Sequence, residues 1–355
     1  MNMKKSLTAL AVAAGLGAPF VAVADADVYG SVRIAVQNVN DDGVATYGQD
    51  EGFGLFSPAS RLGFRGEEDI GGLTAFAHYE LGIDATSMSI ADSDRLSYVG
   101  LRGDFGEVQG GRVWSAWYDY IGWTVDRSWF WGGTGYYGYG GSGINVGATT
   151  RSSNTLKYTY GAGGYGSDPF TFSVEAVMNG ASSGVAMDDT DNDPQDLDVL
   201  TIAGQTTFAS DFTIGLAHRL TNNDENITES EPSQTAFSFR WEPAGPFYIG
   251  AVYNQTDRDI DSSFDSPAYI EVLGTMDFGG GLSGQLGLSS LDNDTPDDFG
   301  DTTGIFLHLN QALSSRTNVF GELQALSVDG GVNMAGDEVD DTDPRVLMIG
   351  MEHSF

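Results

Sequence analysis

The chain has 355 residues, no cysteine and a formal net charge of −34, with 50 acidic residues against 16 lysines and arginines. Because binding to nucleic-acid phosphates depends on lysine and arginine, this charge excludes nucleic acid as a partner, and without cysteine no disulfide can stabilise the fold. The 49 glycines, 15 tyrosines and 20 phenylalanines argue against an ordinary soluble domain and favour short strands joined by tight turns.

Residues 1–24 carry the three-part pattern of a secretory signal peptide. Lys4 and Lys5 form a basic start, an apolar stretch follows, and Ala22 and Ala24 frame a peptidase site. Beyond them no apolar run approaches the ~18 residues that a membrane-spanning helix needs. We therefore expect cleavage after Ala24 and a single domain, residues 25–355, that is either soluble or a β-barrel.

From residue 27 onwards, apolar side chains recur at every second position, a period typical of β-strands with two different faces. In the first strand Val32 and Ile34 alternate with Arg33 and Ala35. The pattern predicts about sixteen strands, an even number that suits a bacterial barrel. The predicted strands are residues 27–39, 57–67, 71–83, 94–103, 106–115, 151–160, 169–180, 197–209, 211–221, 233–242, 246–256, 267–278, 281–291, 302–312, 315–328 and 344–355.

The predicted connections alternate in length, with brief turns such as 69–72 and 278–280 between long polar loops. Short periplasmic turns at one rim and long extracellular loops at the other are typical of a transmembrane antiparallel β-barrel. The two-residue period alone also fits a soluble sandwich, so a secreted adhesin or lectin-like β-protein remains the alternative. The number of strands and the alternating loops favour the barrel.

Several segments resemble the general Gram-negative porins, the trimeric sixteen-stranded channels of the outer membrane. The resemblance runs from residue 27 to residue 355 and includes VYGS at 28–31, SRLGFRGEED at 60–69, RLSYVGLRG at 95–103 and GMEHSF at 350–355. It implies a homotrimer in the outer membrane of a Gram-negative bacterium and passive diffusion of small hydrophilic solutes and ions through a water-filled lumen. We find no catalytic motif and predict no enzymatic activity.

The resemblance also implies roles for particular segments. The third long loop, residues 116–150, would fold inward and narrow the lumen. Phe355, the closing phenylalanine, would be recognised by the barrel-assembly machinery. Wall arginines in these porins face carboxylates on the inward loop. The matching basic residues are Arg61, Arg95 and Arg151, and Arg33 lies two positions past the usual basic site of the first strand, which here is Ser31, and faces the same way. The acidic side would consist of Glu80, Asp119 and Asp126.

These assignments leave alternatives open. The four arginines lie on the polar face of their strands, but they would also do so if they only solvated the lumen and paired with nearby acids. Neither Asp119 nor Asp126 matches a family acid position. Trp129 and Trp131 would form a lane for sugars or aromatic solutes, since aromatic faces stack on sugar rings and attract cations; alternatively they pack the loop against the wall.

Acidic residues are concentrated in three predicted loops, within 188–198, 292–301 and 337–343. Clustered carboxylates suit Ca²⁺ or Mg²⁺, which would bridge the loops to the phosphates of lipopolysaccharide among the outer-membrane lipids. The alternative is a hydrated surface suited to a salty medium. The histidines are too scattered to predict a zinc site, and we predict no resident cofactor. Because the acidic loops should ring the outer mouth, we expect the pore to prefer cations.

Overall fold

The computed structural model describes residues 25–40, 52–87, 89–127, 150–161, 169–178, 197–209, 211–221, 233–257, 268–292, 301–330 and 340–355. The predicted signal peptide and most residues of the long loops lie outside the described residues. No helix among the described residues is long and apolar enough to cross a membrane.

Strands make up nearly all of the described chain. They are β1 (Asp25–Asn40), β2 (Gly52–Phe56), β3 (Arg61–Asp69), β4 (Thr74–Asp84), β5 (Ser89–Gly103), β6 (Gly106–Trp114), β7 (Arg151–Tyr160), β8 (Phe170–Val177), β9 (Val199–Phe208), β10 (Phe212–Thr221), β11 (Ser233–Trp241), β12 (Phe247–Asp257), β13 (Ala268–Gly279), β14 (Leu282–Asp292), β15 (Thr302–Ala312), β16 (Thr317–Val328) and β17 (Arg345–Ser354). A short helix, α1 (Ala116–Tyr120), and a 3-10 turn, Gly122–Thr124, follow β6.

The strands form one closed antiparallel sheet. From β3 onwards each strand pairs with the next, β1 pairs with both β2 and β3, and β17 pairs with β1 over ten residue pairs from Ser31↔Ser354 to Asn40↔Arg345. Closure leaves no sheet edge with unpaired backbone groups, which a membrane would not tolerate. Because β2 and β3 both pair with β1, one after the other, they share one position, and the described strands fill the sixteen positions that the sequence predicts.

The break between β2 and β3 is a β-bulge. Residues 57–60 lie opposite three residues of β1, since Ala35 pairs with Phe56 and Ser31 pairs with Arg61. Ser60 replaces the missing ladder bonds: its Oγ accepts the Arg33 N–H at 2.8 Å and donates to the Arg33 carbonyl at 3.1 Å. Bulges redirect side chains. This bulge lies opposite Arg33 on β1 and comes directly before Arg61 on β3, which are two of the predicted wall arginines.

The sequence prediction differs from the structure at this bulge and at the start of β5. The second predicted strand, 57–67, starts inside the break, because the proline at 58 cannot donate to a ladder. Gly52–Phe56 was missed, since its glycines obscure the alternation of Phe53 and Leu55. The fourth predicted strand, 94–103, starts five residues late, because β5 begins at Ser89, in the hairpin with β4.

The two faces of the sheet have opposite polarity. In β1 the outward Val32, Ile34 and Val36 are 43%, 37% and 53% exposed, whereas the inward Arg33 and Gln37 are 6% and 5% exposed. The same alternation continues around the sheet, with exposed leucine, isoleucine and phenylalanine outside. A soluble sandwich would bury its apolar face, so this arrangement disfavours the soluble alternative and matches a barrel whose outer face contacts lipid.

Candidate functional site: the constriction of the barrel

After β6 the chain leaves the wall and turns into the barrel. Ser115 caps α1, with its Oγ accepting the Tyr118 N–H at 3.0 Å. Trp117 is fully buried and Ile121 nearly so, and both pack in one cluster with inward alanines of β9, β10 and β11. The described part of the predicted constriction loop, here called the inward segment (residues 115–127), therefore lies against the inner wall.

Wall side chains hold the backbone of this segment at regular intervals. Four of them donate to main-chain carbonyls on or beside it: Lys157 Nζ to Trp114 at 2.7 Å, Ser238 Oγ to Tyr120 at 2.7 Å, Tyr248 Oη to Thr124 at 2.6 Å and Gln285 Nε2 to Arg127 at 2.5 Å. Since the donors belong to β7, β11, β12 and β14, the segment crosses a large part of the inner wall.

Two inward glycines let the backbone approach the wall this closely. A Cβ at Gly215 would lie 2.9 Å from the Tyr120 carbonyl oxygen, and a Cβ at Gly250 would lie 2.5 Å from that of Thr124. Neither distance leaves room for a methyl group. Small residues at inward positions of neighbouring strands were the signal that the sequence prediction overlooked.

Glu175 on β8 anchors the start of α1. Its two carboxylate oxygens accept the Ala116 N–H at 2.6 Å and the Ser152 hydroxyl at 3.1 Å. Glu175 is fully buried, and the charges of Lys157 and Arg219 act on it. The Arg219 guanidinium in turn lies over the Trp117 ring, 5.2 Å from its centroid. A buried carboxylate between two cations therefore secures the point where the chain enters the lumen.

Two of the predicted wall arginines have carboxylate partners. Arg33 Nε lies 2.9 Å from Glu352 Oε1, and Arg95 Nε pairs with Glu80 Oε1. Glu80 also accepts the Tyr29 hydroxyl at 2.7 Å. The structure thus places Glu80 against the basic wall rather than across the lumen from it. Glu352 was missed, because its pairing with Arg33 depends on the register that closes the barrel.

Among the described residues, the other two wall arginines have no carboxylate within salt-bridge distance. Arg61 is half-buried, and no hydrogen bond or ion pair of its side chain occurs among the described residues. The Arg151 guanidinium lies over the Trp114 ring at 4.2 Å from the centroid. Trp114 stacks in turn on Tyr118, with ring centroids 4.6 Å apart. The four arginines still form one group, since the charges of Arg61 and Arg95 act on Arg33 and that of Arg95 acts on Arg151.

The two predicted loop carboxylates have different surroundings. Asp119 Oδ2 lies 2.8 Å from Lys157 Nζ and is neutralised there. Asp126 accepts the Tyr118 hydroxyl at 2.7 Å, and the charges of Arg151, Arg127 and Arg95 act on it. Burial nevertheless raises the pKa of Asp126 above its ordinary value. Asp126 is thus a described loop carboxylate on which charges of the arginine group act.

Of the remaining predicted residues, the structure describes Phe355 and part of the acidic runs. Trp129 and Trp131 lie outside the described residues. Phe355 extends the closing ladder, since its N–H donates to the Gly30 carbonyl at 3.0 Å and its carbonyl accepts the Gly30 N–H at 3.2 Å. The described members of the acidic runs are Asp198, Asp292, Asp301, Asp340, Asp341 and Asp343. Within the described chain, no three histidine or acidic side chains are arranged to hold a metal.

Comparisons with known proteins agree with this architecture. A family model for Gram-negative porins matches residues 6–331. Major outer membrane protein P.IB of Neisseria meningitidis serogroup A is 35% identical over 115 residues, which cover 31% of this chain and 34% of that protein. A P.IB protein of Neisseria gonorrhoeae is 36% identical over 116 residues, or 31% of this chain and 32% of that protein. The chain therefore spans about a third of the length of these curated relatives.

Solved structures share the fold over nearly the whole chain. The anion-selective porin from Comamonas acidovorans superposes with a TM-score of 0.68 at 19% identity, covering 93% of this chain and 99% of that chain. Salmonella typhi OmpF in complex with daunomycin gives a TM-score of 0.67 at 17% identity, with coverages of 93% and 97%. At such identities the likeness concerns the fold alone.

Proposed function

Because this chain belongs to the Gram-negative porin family and is an outer-membrane β-barrel, we propose that it forms a water-filled channel for passive diffusion of small hydrophilic solutes and ions. The observation that carries this proposal is the polarity of the two faces. The outer face is exposed and apolar, whereas the inner face holds paired and unpaired charges. An apolar band around a polar interior suits a channel through lipid.

Planar bilayers test the proposal directly. The purified mature protein should insert in discrete steps, and each step should conduct ohmically. Steps that never appear, although circular dichroism in detergent shows a folded β-barrel, would contradict channel function. A mature chain that stays soluble without detergent would instead support the adhesin-like alternative.

The channel proposed here prefers cations. Two observations support this preference: carboxylates neutralise Arg33 and Arg95, and the chain has far more acidic than basic residues, many of them in the long loops. Acidic loops around the outer mouth would concentrate cations before they reach the arginines. Reversal potentials in a salt gradient measure the preference, and a potential of the opposite sign at low salt would reject it.

The proposed assembly is a homotrimer. The support is family membership, together with a structural relative, OmpT of Vibrio cholerae, which is described as a trimer; it is 18% identical and has a TM-score of 0.64. Native mass measurement in mild detergent should give three copies. Monomers under conditions that preserve channel activity would rule the trimer out.

Two finer proposals concern ligands. Trp129 and Trp131 form a lane for sugars, which predicts that added sugars block the current; noise analysis without any block would leave a general diffusion channel.

The acidic loops bind Ca²⁺ or Mg²⁺ and bridge to lipopolysaccharide, which predicts that a chelator lowers lipopolysaccharide retention by the purified protein. Equal retention with and without chelator would leave the loops as a hydrated surface.

A further inference from the structure

The chain has four histidines, and they differ in their position on the barrel. His218 and His353 are exposed on the outer face. His308 is fully buried in the wall. His78, on β4, is half-buried and lines a cavity inside the barrel. His78 is therefore the histidine that lies on the ion path.

The cavity beside His78 lies between the inward segment and the rim of short turns. Its volume is about 950 Å³, which is ample for hydrated ions. Its wall combines residues of the inward segment with residues close to the turns after β3 and β5, among them Asp119, Tyr120, Glu67, Phe76 and Arg102. Short turns lie at the periplasmic rim of such barrels, so we call this cavity the periplasmic vestibule.

A chain of hydrogen bonds connects His78 to the arginine wall and fixes which imidazole nitrogen carries the proton. Arg95 pairs with the Glu80 carboxylate, and Tyr29 Oη donates to Glu80 Oε2 at 2.7 Å. Towards His78 Nε2 the Tyr29 oxygen can then only accept, so Nε2 bears the proton of the neutral ring. His78 Nδ1 is left as an acceptor, and it accepts the Tyr98 hydroxyl at 2.9 Å.

The same chain accommodates a charged His78. In the imidazolium form both ring nitrogens donate. The bond from Nε2 to Tyr29 is unchanged, whereas at Nδ1 the Tyr98 hydroxyl becomes the acceptor by rotating its proton towards the vestibule, which Tyr98 lines. Because no hydrogen bond is lost, His78 can take up a proton without a rearrangement of the wall.

The charged groups that surround His78 on β1, β3 to β7 and the inward segment are paired with one another. The pairs are Arg65–Asp27 at 3.0 Å, Arg102–Glu67 at 3.0 Å, Arg102–Glu107 at 3.5 Å, Lys157–Asp119 at 2.8 Å and Arg95–Glu80. Histidine is the side chain whose ordinary pKa lies between pH 5 and pH 8. Among the groups around this vestibule, His78 is thus the one suited to change its charge in that range.

We propose that His78 is a titratable residue that determines the ion selectivity of the pore: its protonation adds a positive charge to the periplasmic vestibule and weakens the preference for cations as the pH falls. This inference rests on the proposed channel function and names a regulation of it. Tyr29 and Tyr98 are positioning residues, since they bind the imidazole in both of its charge states.

Reversal potentials test this proposal on the assembled protein in planar bilayers, recorded in a KCl gradient from pH 8 to pH 4.5. The cation-to-anion permeability ratio of the wild-type protein should fall about two- to fivefold over this range, because one positive charge is added beside the ion path. His78→Gln should remove this step, since the amide can donate to one tyrosine and accept from the other but does not titrate. His78→Lys stays charged throughout and should show the lower ratio already at pH 8.

Two further variants separate His78 from other titrating groups. His218→Gln removes an imidazole from the outer face of the barrel and should leave the pH curve unchanged. Asp126→Asn removes the carboxylate of the inward segment whose pKa is raised by burial, and it should retain the step of His78. His78→Gln should in turn retain the step of Asp126.

Each outcome has one interpretation. Coincident pH curves for His78→Gln and the wild-type protein would overturn the proposal, as would an equal loss of the step in His218→Gln. Normal KCl steps with a ratio that does not vary with pH would also overturn it while leaving channel function intact. Absence of KCl steps would count against channel function itself. If His78→Gln fails to assemble, His78→Lys decides, because a step of wild-type size in that variant would equally overturn the proposal.

Discussion

At the scale of single residues, the four wall arginines of the constriction are of two kinds. Two are neutralised by carboxylates, and two have no carboxylate partner among the described residues. Glu80 and Glu352 each hold one arginine, so removing either arginine also releases a carboxylate. Removing Arg61, which has no such partner in the described part of the chain, takes away a positive charge without releasing a carboxylate there. Both kinds of substitution shift ion selectivity towards cations. One removes a positive charge only, and the other also releases a carboxylate.

Replacing Arg61 or Arg95 with serine should strengthen the preference for cations. Each substitution removes a positive charge beside the ion path, and Arg95→Ser also leaves the Glu80 carboxylate unpaired. Two unit charges about 4 Å apart in water interact with about 1 kcal/mol, so the cation-to-anion permeability ratio should rise about two- to fivefold. Reversal potentials measure the ratio, and Arg61→Lys, which keeps the charge, is the control. Unchanged potentials in both serine variants would mean that other charges control the pore.

Asp126 should give the pore a distinct pH dependence. Burial raises its pKa, so as pH falls Asp126 takes up a proton before carboxylates of ordinary pKa do. The constriction then loses one negative charge while the loops keep theirs, and the cation preference should begin to weaken at a higher pH than exposed carboxylates alone would allow. Asp126→Asn should lack this early step in a series of reversal potentials between pH 7 and pH 4. Coincident curves for the two proteins would refute the assignment.

At the scale of structural elements, the inward segment is held through its backbone as well as through its buried Trp117 and Ile121 side chains. Wall donors from β11, β12 and β14 reach its carbonyls, a donor from β7 reaches the carbonyl of Trp114 just before it, and Glu175 accepts an N–H at its start. Backbone contacts do not depend on the identity of the loop side chains. These contacts make the position of the segment depend on the wall, especially on inward residues small enough to admit a carbonyl group.

Gly250→Ala should displace the inward segment. The new Cβ would lie 2.5 Å from the Thr124 carbonyl oxygen, and it would also crowd the Tyr248 hydroxyl that bonds to that oxygen. We expect a changed single-channel conductance and more open-channel noise. Gly274→Ala on the neighbouring β13 is the matched control, because its Cβ would meet nothing within 4 Å. Identical conductance and noise in the two variants would show that the segment does not touch the wall at Gly250.

At the scale of the whole molecule, the barrel joins residues that are far apart in the chain. Closure of β1 on β17 brings Arg33 to Glu352, which lie 319 positions apart. Alternation along each strand sets the outer apolar band and the inner charges on opposite sides of this single sheet. In the proposed channel, the fields of the acidic loops and of the constriction would act in series on each permeating ion.

The cation preference should therefore weaken as salt rises. At ~0.1 M salt the Debye length is about 10 Å, so acidic loops near the mouth still attract cations, whereas at ~1 M it falls to about 3 Å and the local arginines gain weight. Reversal potentials at a constant concentration ratio, repeated at several mean concentrations, follow the change. Arg61→Ser should retain more of its cation preference at high salt than the wild-type protein. A preference that does not vary with salt would locate the controlling charges inside the constriction.

Much of this architecture could be predicted from the sequence, because the strand period is local. Successive side chains point to opposite faces, so Arg33 and Val32 are assigned to different faces without any knowledge of their neighbours. The sixteen strand positions and the closing strand follow from the same period and from the turn residues. The bulge at 57–60 escaped prediction, since it depends on pairing with β1 rather than on local pattern.

The sequence by itself determined which side chains face the lumen and which face lipid, and it determined the order of strands and loops. Only the tertiary structure decided which of those lumen charges meet. The pairs Arg33 with Glu352 and Lys157 with Asp119, the stack of Arg151 on Trp114 and the fit of the Thr124 carbonyl over Gly250 all depend on register, closure and the path of the inward segment. Alternation is imposed by the geometry of each strand alone, whereas a contact across the barrel is fixed only when all strands are paired.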